Sequence, residues 1–168
     1  MKLVREVKAF TDRSPRPVSG RSLTRLLRAL LITRFPFAGF DLVVNLVDST
    51  VITCLNEEYL KHAGSTDVIT FDYNAEDSQC KKKPVFLSGE IFICVDEAII
   101  QAHRFRAPWE QEVVRYAIHG ILHLAGYDDR SAAQKRIMKR EEDRLVRAHA
   151  ESLGKDAIHR SRRKTRHA

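Results

Sequence analysis

An α+β fold, with a mixed sheet of about four strands and helices packed on it, follows from three features of the 168-residue chain. Short alternating or apolar segments read as strands, amphipathic stretches of helical length fall between them, and one long polar loop separates two of the strands. At this length, and with 43% hydrophobic residues, the chain is a single domain able to bury a continuous core.

The elements follow in order. Leu3 to Phe10 alternates as a strand does, and Ser14-Pro15-Arg16-Pro17 closes it with a loop. Ser22 is the expected cap of an amphipathic helix whose apolar stripe is Leu23, Leu26, Leu27, Leu30 and Leu31. Asp41 to Val47 reads as a strand, Ser49 to Lys61 as a helix and Val68 to Phe71 as a further strand. Asn74 to Pro84, with three consecutive lysines, is the most polar internal stretch and is expected to be a mobile or partner-facing loop. Phe86 to Val95 is the strand beyond it, and Asp96 is expected to cap a helix through about His103. Pro108 opens the next helix as a first-turn proline does, and Gly126 ends it. Ser131 starts a last, highly charged helix to about Ser152, with Ile137, Met138, Leu145 and Val146 as its inner face.

Composition excludes several classes of protein. No run approaches the roughly twenty apolar residues of a membrane span, and Met1 to Lys8 contains no apolar core of a signal peptide, so a cytoplasmic protein without membrane partners is expected. Cys54, Cys80 and Cys94 are odd in number and widely spaced. They fit neither a disulfide framework nor a zinc ribbon and are read as reduced thiols, Cys54 and Cys94 in the core and Cys80 in a loop. The net charge of +7 is uneven: residues 155–168 hold six basic residues and one acid, so +5 lies in this tail and +2 in the rest. The chain therefore divides into a domain over 1–154 and a basic tail over 155–168 with too little apolar content to fold alone. Such a tail can neutralise phosphates or serve only as a solubilising segment.

The run from His119 to Asp129 is the strongest chemical signal. His119 and His123 are four apart on a helix and project from one face, so both imidazoles can reach one ion. Gly126 lets the chain turn back over that face, which makes Asp129 the natural third ligand. Two imidazoles and a carboxylate leave a four-coordinate ion one open position, the pattern of a catalytic site. One divalent ion is expected, zinc first, although this donor set also serves non-haem iron(II). The spacing matches the metzincin zinc motif, but Gly120 stands where that motif has its glutamate base, which disfavours a metallopeptidase. Asp128 is either a residue that orients a histidine or a turn residue.

The same run resembles the His-Gly-x-Leu-His-Leu-x-Gly-Tyr-Asp-His motif of the YbeY family of bacterial rRNA maturation endoribonucleases. Positions 119–128 fit, and Asp129 stands in place of the family's third metal-binding histidine. Leu55-Asn56-Glu57-Glu58-Tyr59, Thr66-Asp67-Val68-Ile69-Thr70-Phe71 and Gly89-Glu90-Ile91 are similar to further family segments, so that the resemblance covers roughly residues 40–150. Leu60 occupies the position of a family arginine implicated in RNA processing, and Lys61 is the nearest cation, either a phosphate contact or a solvated helix-end lysine.

The resemblance implies a metal-dependent endoribonuclease that cleaves single-stranded RNA, acting at the 16S rRNA 3′ end in ribosomal RNA maturation and in ribosome quality control. RNA and the ribosome are the implied partners. No catalytic base is assigned. A metal-stabilised RNA-binding or ribosome-assembly factor with little or no catalysis is the alternative, and Leu60 is its best argument. An iron oxygenase would need an organic co-substrate of which the sequence gives no sign.

Overall fold

A computed structural model describes residues 4–74 and 86–150. Strand β1 (Arg5–Phe10) is followed by α1 (Gly20–Arg34), β2 (Gly39–Val47) and α2 (Ser49–Leu55). After a π-helical turn (Asn56–Leu60) come β3 (Val68–Asp72), β4 (Phe86–Cys94), α3 (Val95–Phe105), α4 (Trp109–Leu124) and α5 (Ala132–Ala150). The four strands form one mixed sheet in the order β1-β2-β4-β3. The pairs β1–β2 and β2–β4 are parallel, and β3 runs antiparallel to β4, with Thr70 opposite Ile91 and Asp72 opposite Gly89. This is the α+β architecture expected, including the strand pair across the polar loop. The lysine-bearing part of that loop, Cys80, and the basic tail lie outside the described residues.

Alternation decides which face of the sheet is covered. Phe40, Leu42, Val44 and Leu46 of β2 and Leu87, Ile91 and Ile93 of β4 point to one face and are buried, where Leu23, Leu27, Leu30 and Leu31 of α1 and Val113, Val114, Ala117, Ile118 and Ile121 of α4 meet them. A smaller cluster on the other face joins Ile52 of α2 to Ile69 of β3. The helix α4 is buried almost all round because α3 and α5 flank it, and this is why a segment carrying histidines reads as apolar throughout.

The ends of the helices depart from the sequence reading in informative ways. Ser19, not Ser22, caps α1, accepting a bond from the Ser22 amide. Asp96 does not cap its own helix; its carboxylate accepts from the Ser49 amide and, with Asp48 on the Val51 amide, closes the start of α2. Pro108 stands one residue before the first turn of α4. The helix expected to Lys61 is α-helical only to Leu55, and the π-turn then ends on Lys61 with a left-handed φ of 58°. Ser131 and Gln134 cap α5 reciprocally, each side chain accepting from the other's backbone amide. Ile137 is half exposed rather than inward, while Met138, Leu145 and Val146 are buried. Cys54 is exposed and Cys94 buried, so only the second is a core thiol.

Two glycines make close packing beneath α4 possible. A Cβ at Gly89 would lie 2.5 Å from the Phe71 carbonyl oxygen and 2.7 Å from Leu124 Cδ2. That oxygen belongs to the paired strand β3 and cannot yield without parting the ladder. Gly89→Ala is therefore expected to destabilise the fold by about 1–3 kcal/mol. A urea titration checks this, and an unchanged midpoint would show that β3 shifts freely. A Cβ at Gly120 would meet Ile91 Cδ1 at 2.7 Å and Thr70 Oγ1 at 2.9 Å, so this position faces the sheet and has no room for a glutamate.

Candidate metal centre

The imidazoles of His119 and His123 stand one turn apart on the last two turns of α4, with Nε2 atoms 3.1 Å from each other. The chain then leaves the helix through a Schellman motif: the Tyr127 amide donates to the Leu122 carbonyl, the Gly126 amide to that of His123, and Gly126 has φ of +88°. This sharp exit brings Asp129 back, so that one donor atom each from His119, His123 and Asp129 lies within 4.8 Å of the others. The three residues singled out in the sequence are thus brought together.

The outer nitrogens decide the protonation of the rings. His123 Nδ1 lies 3.2 Å from the Tyr127 carbonyl oxygen, which can only accept, so this nitrogen carries the proton. His119 Nδ1 lies 2.9 Å from Glu142 Oε2 of α5 and donates to that carboxylate. With both rings in the neutral form that ligates a metal, their Nε2 lone pairs face each other. Two acceptors at that distance satisfy nothing between themselves, and a cation between them resolves the conflict. Two nitrogens at tetrahedral zinc distance stand roughly 3.3 Å apart, close to the observed separation. The residues therefore fit one divalent ion. Burial pushes the His123 pKa below its ordinary value and the neighbouring His119 lowers it further, which favours the neutral form that can ligate.

Glu142, which the sequence reading did not single out, is the most constrained acid near the site. It is only 5% exposed and accepts from His119, Arg115 and Lys139, at 2.9, 2.8 and 2.9 Å. Burial pushes its carboxyl up, but the bonds from His119, Arg115 and Lys139 outweigh this and bring it down to about 2. The only sequence signal was a polar residue at a core-facing spacing, between Met138 and Val146 on α5.

The remaining candidates lie differently. Asp128 accepts from the amides of Asp129 and Arg130 and from Arg130 Nε, so its carboxylate ties the turn, and its pKa is lowered, chiefly by Arg130. The imidazoles are oriented instead by Glu142 and the Tyr127 carbonyl. Lys61 donates to the Glu58 carbonyl at 2.7 Å and does not line the site. Leu60 does: it borders a cleft of about 430 Å³ together with β3 from Val68 to Asp72, His119, His123, Leu124 and Asp129. Among the described residues β3 is the edge strand of the sheet, and the cleft runs along it.

Fold and site define a single-domain α+β protein with a candidate metal centre where its buried helix ends. The family model described as Endoribonuclease YbeY matches residues 16–150. The chain belongs to the YbeY family. An Endoribonuclease YbeY of Bacteroides fragilis is 32% identical over 129 residues, 77% of this chain and 86% of that protein. Those of Flavobacterium psychrophilum and Chlorobium phaeovibrioides are 35% and 38% identical, over 60% and 55% of this chain. The latter two matches span 66% and 57% of the relatives' own lengths, less than two thirds. A Thermotoga maritima protein of known solution structure shares the fold, with a TM-score of 0.55 and 24% identity over 88% of this chain and 93% of that one. No helix among the described residues is long and apolar enough to cross a membrane.

Proposed function

We propose that the protein is a metal-dependent endoribonuclease acting on single-stranded RNA, with one divalent ion, zinc first, held by His119, His123 and Asp129. The observation that carries this is the pair of Nε2 atoms 3.1 Å apart beside an exposed carboxylate in an open cleft. A divalent ion held there supplies Lewis acidity toward water and a phosphoryl oxygen. Glu142 and the Tyr127 carbonyl hold the two rings in the ligating tautomer. The margin of β3 gives an RNA strand a wall to lie against, and residues 1–154 form the catalytic unit, with the tail over 155–168 adding salt-sensitive affinity. The family supports a role in ribosomal RNA maturation and ribosome quality control, with the ribosome as partner and the cytoplasm as compartment.

Gly120 weighs against a peptidase, since a glutamate at that position would collide with Ile91 and Thr70. A second reading, an RNA-binding or ribosome-assembly factor without turnover, is favoured by Leu60. An apolar side chain there brings no charge to the cleft where the family has an arginine, and the Lys61 ammonium is bonded elsewhere.

The test is cleavage of an end-labelled single-stranded RNA by the full chain before and after chelation, with zinc, manganese and ferrous ions then returned singly. Loss on chelation and recovery with one ion is expected. Retention of RNA without cleavage under every ion would favour the second reading.

A further inference from the structure

We infer that the outer face of α5 is a second RNA-contacting surface, a track for the phosphodiester backbone of single-stranded RNA outside the cleft. Lys135, Arg136, Lys139, Arg140 and Arg147 line one shallow groove on this helix, with Asp143 as its only acid among the described residues. At 1.5 Å per residue the stripe from 135 to 147 is about 18 Å long. Apart from Lys139, which bonds Glu142 and Asp143, its charge is not spent on the fold. Asp143 is matched by Arg115 and Lys139, and Glu141 pairs with Arg144. Among the described residues no carboxylate pairs with Lys135, Arg136, Arg140 or Arg147, and all four are exposed. A row of four like charges on one helix face is repulsive and weakens the helix. Polyanion binding offsets that repulsion and releases counterions.

Continuity with the candidate metal centre selects RNA among polyanions, and to that extent the inference rests on the ribonuclease reading. Lys139 Nζ and His119 Nδ1 bond opposite oxygens of the Glu142 carboxylate. The stripe therefore lies one buried carboxylate behind the His119 ring, at the level of Lys139. The buried side of α5 rests on Met138, Leu145 and Val146, so the exposed cations can be changed without loss of packing.

The test compares the full chain, a variant with Lys135→Gln, Arg136→Gln, Arg140→Gln and Arg147→Gln, and an equal-charge control with Arg13→Gln, Arg16→Gln, Arg21→Gln and Arg25→Gln. Anisotropy of a labelled RNA of about 20 nucleotides is titrated at several sodium chloride concentrations. The α5 variant is expected to bind at least about tenfold more weakly at low salt, with a log–log salt slope shallower by about 3, since each phosphate contact contributes roughly 0.7 for a single strand. The control keeps the parent slope. An unchanged slope in the α5 variant, or an equal loss in both variants, overturns the inference. So does a stripe-dependent sedimentation with vesicles of phosphatidylcholine and phosphatidylglycerol while the RNA slope stays unchanged. Cleavage is read in the same samples. A parent that binds through α5 without cutting would refute the nuclease reading and leave this one standing, and a parent that cuts while the α5 variant binds equally well would do the reverse.

Discussion

His123→Ala is expected to remove the ion and reduce RNA cleavage by at least about 10³-fold, several kcal/mol of barrier, while leaving the fold intact. The ring is one of two imidazoles whose Nε2 atoms face each other, and its loss leaves one nitrogen and an exposed carboxylate, too few donors for a tight site. His123 and Tyr127 are only partly buried and the turn between them is exposed at Gly126, so the cost to stability is small. Metal content of the purified variant, its far-UV circular dichroism and its cleavage rate check the three parts separately. Full metal occupancy with an unchanged rate would place the chemistry elsewhere, and a contaminating nuclease would reveal itself by cutting equally in both preparations.

Glu142→Gln is expected to weaken the ion by about 10- to 100-fold without removing any ligand. Glutamine keeps an acceptor for the His119 Nδ1 proton but not the charge that makes the ring a stronger donor. The conservative replacement thereby separates electrostatic positioning from packing. Glu142→Ala should also cost stability, though less than the roughly 3–5 kcal/mol of a fully buried pair, because Arg115 and Lys139 reach solvent. The pH dependence has a defined sign. A carboxyl held at about 2 in the fold and near 4.5 in the unfolded chain stabilises the protein above that higher value, and loses its contribution as pH falls from 4.5 toward 2. Acid titration of the parent should show this added slope, and the Gln variant should flatten it. Identical acid profiles and equal zinc affinities would remove Glu142 from the site.

The site was more legible than its surroundings. The spacing of His119, His123, Gly126 and Asp129 depends on one helix and one turn, both local, and the structure brings the three donors together with Gly126 at positive φ. Strands were legible for a similar reason, since alternation is set by whether each face is covered. Capping was less so. Ser22 and Asp96 are sound N-cap residue types, but Ser19 competes for the first, and the Ser49 amide, 47 residues away, takes the second. Cys54 and Ile137 look like core from their neighbours, yet both lie on helix sides that nothing among the described residues covers.

The sequence by itself determined the α+β class, the order of strands and helices and the meeting of His119, His123 and Asp129, because each is written in short-range periodicity or in the reach of one turn. Tertiary structure alone decided that β3 pairs with β4 at the sheet edge and so lines the cleft, and that Gly120 faces Ile91 and Thr70. It also decided that Glu142, 23 residues from His119, closes the site from behind. These contacts arise from packing α4 between the sheet and α5, and burial there selects a carboxylate only because three cationic or polar donors converge on it. Nothing in the local pattern of α5 distinguishes that acid from its exposed neighbours except the face on which it falls.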